Sequence, residues 1–421
     1  MSNDTTRQSV LFEEVANRPV VVRFDQDHSS SDGGSVLLKA LDERLGLSAA
    51  LTRCLRDDRQ AGKVEHELRA LLRQRLFGIA CGHADGNDAA GLSDDPIHKL
   101  LMDRDPLSGR ALASQPTLSR FENAVGAKDL IRLSEALAET VIGRHRRRKR
   151  GVRRITLDFD PTHDPAHGSQ QLTLFNGVYD TRCYLPLTGF VSFDNEAEQY
   201  LIAYALRAGN APAKQGLLGV LDRLLPRLRA AFPKARVRIR LDAGFTGKEL
   251  FDYFEAHGLE YVVCMAKNPV LQAQAEPLLE PLREAVAAQE VPQPVFGECM
   301  YQARSWTRPR RVLLKAAIAL HPGRKPKDNA RFVVTNIKGE PQRIYEQIYC
   351  ARGDVENRIK ELKDGLAIDR TSCTSFVANQ FRALITAAAY VLMQELRLQA
   401  RTTSCAKAQV STLRLRLLKL G

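Results

Sequence analysis

Through most of the first 140 positions, apolar residues recur at intervals of three and four, and near residue 155 they switch to strict alternation. The helical period predicts helices over residues 36–47, 66–77 and 129–142, with Pro, Gly and Asp clustered between them. Ahead of these, VVVRFD at residues 20–25 reads as one short strand, and SSSDGG as a loop. The first region therefore reads as mostly helical. Within it, ALASQPTLSRFENAVG has the form of a short helix, a proline-marked turn and a second helix beginning near Thr117. Thr117, Ser119 and Arg120 are residue types that a helix-turn-helix uses on DNA, and equally the types that cap a helix.

From residue 155 the texture is that of strands. ITLDFD sets Ile155, Leu157 and Phe159 on one face against Thr156, Asp158 and Asp160 on the other, a half-buried strand with two carboxylates pointing the same way. LTLFNGVYD and YLPLTGFVSFD follow as a pair resembling a meander. A helix over residues 213–231, the strand VRIRLD ending in Asp242, the helix LFDYFEAHG and the buried strand YVVCMAK come next. That order fits a mixed sheet covered by helices. Residues 268–337 read as a β-rich insertion. Beyond them YCARGDVENRIKELKDG is helical, FVANQFRALITAAAYVLMQEL is an apolar core helix, and STLRLRLLKLG reads as a final strand or as a shortened C-terminus.

Composition adds a partner. The 421 residues allow two or three domains, and 44% apolar with 26% charged residues is ordinary for a globular chain. The net charge of +13 is not ordinary and points to a polyanion. No apolar run reads as long enough to span a membrane and no leader opens the chain, which implies a cytoplasmic protein whose polyanion is nucleic acid rather than a membrane surface. The densest basic run, RHRRRKRGVRR at residues 144–154, reads as a linker or surface strip. Its Arg146, Arg147, Arg148, Lys149 and Arg150 are candidate phosphate contacts. Eight dispersed cysteines without a C-x-x-C pair suggest reduced thiols rather than a zinc ribbon.

The candidate chemistry centres on Tyr349, Arg352, Glu356 and Lys363, whose offsets of three, four and seven place them on one face of a helix at about 100° per residue. A solvated face with pairs such as Glu356 and Lys360 is the plain alternative. Hydrolysis of a phosphodiester needs charge neutralised on the entering and leaving oxygens, which two Mg²⁺ ions held by carboxylates can do. Asp160, Asp242 and Glu356 meet that need, with Asp158 as rival to Asp160 and a capping role as the alternative for Asp242. GFTGK lacks the spacing of a phosphate loop, and His163 with His167 near Asp164 makes an untypical metal pair. Trp306, among four arginines in ARSWTRPRR, could stack on a displaced base, although a lone tryptophan is more often a packing residue.

The spacing Tyr349, Arg352, Glu356, Lys363 resembles the Y-(2)-R-(3)-E-(6)-K signature of bacterial insertion-sequence transposases with an Asp-Asp-Glu site (transposase DDE domain, group 1 type). DFDPT resembles that family's first-acid strand and selects Asp160 with Thr162; LDAGF resembles its second-acid motif and falls on Asp242. SSSDGG, THDPAHGSQ, ARSW, RFVVTN and DRTSC extend the resemblance over most of the chain. It implies an α/β fold: a ribonuclease H-like mixed sheet with flanking helices over residues 155–267 and 338–421, interrupted by the β-rich insertion, after a mostly helical DNA-binding region (1–143) and a basic linker (144–154). It also implies a transposase that uses two Mg²⁺, or Mn²⁺, to free a 3′-hydroxyl at the element end and join it to target DNA. Tyr349, Arg352 and Lys363 would hold the DNA backbone, Trp306 would be an aromatic for a flipped base, and a homodimer would pair the terminal inverted repeats. A nuclease or resolvase with the same core, or a non-catalytic DNA-binding relative, is the alternative.

Overall fold

The computed structural model describes residues 10–15, 18–22, 28–148 and 151–421. Its centre is a sheet of eight strands: β1 Arg154–Pro161, β2 Leu187–Phe193, β3 Tyr200–Ala205, β4 Arg236–Leu241, β5 Glu260–Met265, β6 Val295–Tyr301, β7 Arg310–Ala316 and β8 Arg331–Thr335. They lie in the order β6-β7-β8-β5-β4-β1-β2-β3. Neighbours β1, β4 and β5 run parallel, and every other neighbouring pair is antiparallel. Parallel neighbours need a crossover, which helix Lys248–Ala256 supplies between β4 and β5. The result is a mixed α/β architecture compatible with a ribonuclease H-like transposase.

Helix Phe376–Gln399 lies against β3 and against the helices Leu68–Cys81 and Ala127–Arg148, so the N-terminal helices and the sheet share one continuous core. By length and composition this helix could cross a membrane, contrary to the sequence reading, yet 89% of its apolar window is buried inside the protein. Its apolar surface is used in packing. All eight cysteines are free thiols.

Several sequence expectations change. Strand β1 is buried on both faces rather than one, because it lies between β2 and β4 in the middle of the sheet. The expected meander does not form: Leu174–Asn176 pairs with Thr181–Tyr184 in a separate small sheet, while β2 pairs with β1. Strand β3 is an element the sequence reading lacks. Residues 268–337 open with a 19-residue helix, Pro269–Ala287, and their strands β6, β7 and β8 continue the main sheet through β5. Pro269 occupies the helix's first turn, where its missing N–H is not needed, but Pro277 and Pro281 lie inside it and mask the helical period.

At the chain ends the reading also shifts. Strand Arg18–Val22 overlaps the expected VVVRFD strand, whose residues 23–25 lie outside the described residues, and an unforeseen partner, Val10–Val15, pairs with it. The tail is helical, Val410–Leu413 followed by Arg414–Leu418, with Val410, Leu413 and Leu418 buried; it is not a strand. No helix precedes Gln115–Asn123 across residues 111–114, since Pro116 sits in that helix's first turn instead of marking a bend. The expected helix pair therefore does not form there. Helix Ala127–Arg148 absorbs the first half of the basic run, whose cations suit a helix C-terminus.

Candidate active site

Because β1 and β4 are parallel neighbours, their carboxyl ends lie side by side, with Asp160 next to the last residue of β1 and Asp242 just past β4. The register sets Asp158 beside Arg240. Arg240 Nε and Nη2 donate to the two oxygens of Asp158 at 2.6 and 2.7 Å, and Gln199 Nε2 adds a third bond at 3.2 Å. Asp158 is 0% exposed and committed to this pair. Asp160, two residues on, stands at the sheet edge of an open pocket of about 480 Å³. The pocket is lined also by Thr162, Asp242, Arg352, Glu356 and Lys363.

Asp242 directly follows β4. One oxygen, Oδ1, accepts from the Gly244 N–H at 2.9 Å, so the capping role foreseen for it is real. The other faces the pocket, with Arg352 Nη2 3.7 Å from Oδ2. The same nitrogen donates to Asp160 Oδ1 at 2.7 Å. Glu356 is exposed on the first turn of helix Asp354–Leu366 and completes the acid set. Burial is the main cause that pushes Asp160 up to about 7; Arg352 opposes the rise, and the charges of Asp242 and Glu356 add to it.

These residues fit hard divalent cations. The donors are carboxylate oxygens from three elements, their like charges repel, and the Arg352 guanidinium already stands as a cation between two of them. Among the described residues, the trio of Asp, Glu, His or Cys ligand atoms lying within 4.8 Å of one another is Asp32, His83 and His98, not the three pocket acids. The three pocket acids are thus not gathered to ligand distance of one another while Arg352 pairs with Asp160.

The signature residues do not all meet. Arg352, Glu356 and Lys363 line the pocket, but Tyr349 does not. The chain enters this helix through a π-helical turn, Ile344–Tyr349, and a 3₁₀ turn, Cys350–Gly353, so the regular 100° spacing fails before Asp354. Tyr349 packs instead beside Tyr345 and the Cys264 thiol on β5; burial first, and then that thiol, raise its hydroxyl. Lys363 Nζ donates to the backbone carbonyl of His163 and lies 3.9 Å from Asp369.

The other predicted sites lie away from the acids. Trp306 is 6% exposed and packs edge-on against Phe251 and Tyr301 under the Arg310 guanidinium, while Arg310 bonds to Glu255 and Asp252. It is a packing residue, not a free stacking surface. Arg146, Arg147 and Arg148 are exposed on the last helical turn; Lys149 and Arg150 lie outside the described residues. Their neighbour Arg144 is buried over the Tyr200 ring, 3.5 Å from Glu395, so the run is not a free linker. Arg120 is exposed, Thr117 and Ser119 half-exposed, all within helix Gln115–Asn123 rather than at its cap, which is Ser114. His163, Asp164 and His167 do not converge: Asp164 is buried against the Thr371 hydroxyl, and the His167 ring approaches the Asp369 carbonyl.

Sequence reasoning missed Tyr179. It lines the acid pocket and stacks on His163 with ring centroids 4.6 Å apart. The signal was an aromatic in the Gly-bearing turn NGVYD, shortly after the first acid strand.

No curated protein matches the chain. The family described as transposase DDE domain group 1 matches residues 12–421, nearly the whole chain. With two strand-end acids and a helix acid lining one pocket, this protein belongs to the DDE transposase family.

Proposed function

We propose that the protein cuts the ends of a mobile DNA element to free a 3′-hydroxyl and joins that hydroxyl to target DNA, with Asp160, Asp242 and Glu356 as its metal ligands. The observation that carries this is that three acids distant in sequence line one pocket, Asp160 and Asp242 at the carboxyl ends of two parallel strands and Glu356 on the first turn of a helix. Bound there, two Mg²⁺ ions, or Mn²⁺, would polarise the scissile phosphate and stabilise charge on the entering and leaving oxygens. Asp158 holds the floor of the site through Arg240 and does not take part directly. Arg352 leaves the acids for the DNA backbone as the site loads, and Lys363, which lines the same pocket, steadies a phosphate. Tyr349 acts from outside the pocket by shaping the irregular helix that carries Arg352. Tyr179 offers its ring face to a base beside the cut.

The helical N-terminal region and the exposed Arg146, Arg147 and Arg148 supply the DNA-binding surface for the terminal repeats, and two copies of the chain hold paired ends. Family membership favours this reading over a nuclease without strand transfer. Incubating the protein with Mg²⁺, DNA carrying the inverted repeats that flank its gene, and a supercoiled plasmid tests it. Joined products support transposition; cuts without joining point to a nuclease.

A further inference from the structure

We propose that Asp32, His83 and His98 form a second metal site, selective for a borderline first-row cation of the Zn²⁺ type and separate from the acid pocket. The loop SSSDGG supplies Asp32, which is 1% exposed, and His98 on helix Pro96–Leu101 is fully buried. His83 follows Gly82, whose left-handed conformation (φ 101°) ends helix Leu68–Cys81 and turns the chain toward the loop. The three side chains thus come from three separate stretches, each anchored by its own backbone.

Both imidazoles aim at one carboxylate oxygen. His83 Nε2 lies 2.8 Å and His98 Nε2 3.0 Å from Asp32 Oδ2. Bonds of about 2.0–2.2 Å to a shared metal, at angles of about 90–110°, hold N and O ligand atoms about 2.8–3.6 Å apart. Both Asp–His separations fall in that range, and all three ligand atoms lie within 4.8 Å of one another. Without a metal, His98 Nε2 donates its proton to Asp32 Oδ2; an ion would take that place, with the proton moved to the buried Nδ1, which makes no hydrogen bond.

The surroundings suit a ligand carboxylate. Asp32 is buried, and its carboxylate faces His83 and His98 on one oxygen and the Lys419 ammonium on the other. The Lys419 ammonium sits 2.6 Å from the opposite oxygen, Oδ1, as an outer partner that orients the carboxylate and leaves Oδ2 to the imidazoles. An open pocket of about 530 Å³, lined by Ser29, Ser30, Ser31, Asp88 and Asp95 as well as Asp32 and His83, gives an ion its entry and room for water. Two imidazoles and one carboxylate prefer Zn²⁺ or Co²⁺ over Mg²⁺, whereas the all-carboxylate pocket prefers the reverse.

Titrating the metal-free full chain with Co²⁺ tests the assignment, read by visible absorption, with Zn²⁺ then added to displace it. His83→Gln, at a half-exposed position, and Asp242→Ala, in the acid pocket, are the comparisons. The expected result is one equivalent of Co²⁺ with a visible band in the wild type and in Asp242→Ala, and at least a tenfold loss of affinity in His83→Gln. Zn²⁺ should raise the unfolding temperature of the first two proteins and not of the third. No visible band, or a band unchanged in His83→Gln, overturns the site, as does a band lost only in Asp242→Ala.

Discussion

Two aspartates on one strand, two residues apart, have opposite fates set by their neighbours. Asp158 meets Arg240 across the ladder, while Asp160 reaches the open end and Arg352. Alternation in ITLDFD showed that both share a face, but not which would be consumed by an ion pair, because that depends on the register with a strand about 80 residues away. Asp158→Asn should therefore destabilise the fold by about 3–5 kcal/mol, leaving a buried arginine unpaired, as read by denaturant unfolding. Asp160→Asn should cost far less stability; equal losses would contradict the division of roles. Asp164 offers a pH test: burial pushes it up from 3.8 to about 8, with Asp369 adding to the rise and Thr371 and Lys363 opposing it. An acid raised on folding stabilises most at low pH, and the contribution is lost as pH climbs through the folded value. The unfolding temperature of the wild type minus that of Asp164→Asn should fall from pH 5 to pH 9, and a constant difference would exclude the effect.

Elements were legible where their period was strong and obscured where packing decided them. The parallel core strands and the crossover helix Lys248–Ala256 carry clear patterns, whereas helix Pro269–Ala287 hid behind its prolines and the tail's alternating Leu and Arg imitated a strand. The tail is helical because it closes on the N-terminal loop. The Gly33 N–H donates to the Leu420 carbonyl at 2.8 Å, and Lys419 pairs with Asp32. A Cβ on Gly34 would stand 1.7 Å from the Leu417 carbonyl oxygen, with backbone on both sides of the clash. Gly34→Ala should cost about 1–3 kcal/mol in chemical denaturation through forced displacement of the tail. An unchanged midpoint would mean that the loop and tail do not close on each other in solution.

At the scale of the whole molecule, the +13 net charge suits the DNA binding that the family implies, and one large core joins the N-terminal helices to the sheet. The candidate site was readable in outline because Asp160, Asp242 and Glu356 lie at strand ends and on a helix start. Arg352's position between two of them was not, since it depends on the π and 3₁₀ turns that precede Glu356. If the exposed end of helix Ala127–Arg148 holds DNA, replacing Arg146, Arg147 and Arg148 together by Gln should weaken binding. The slope of log K against log salt should then flatten by up to about 3, close to 0.9 for each phosphate that is no longer neutralised. An unchanged slope would place the DNA elsewhere.

The most direct measurement is Mg²⁺-dependent cutting of end-labelled DNA bearing the flanking repeats, run beside a binding assay on the same DNA. The wild type should cut; Asp160→Ala, Asp242→Ala and Glu356→Ala should each bind the DNA and lose at least a hundredfold in rate. Cutting at the wild-type rate by any one of the three, with its binding intact, would contradict the three-acid site.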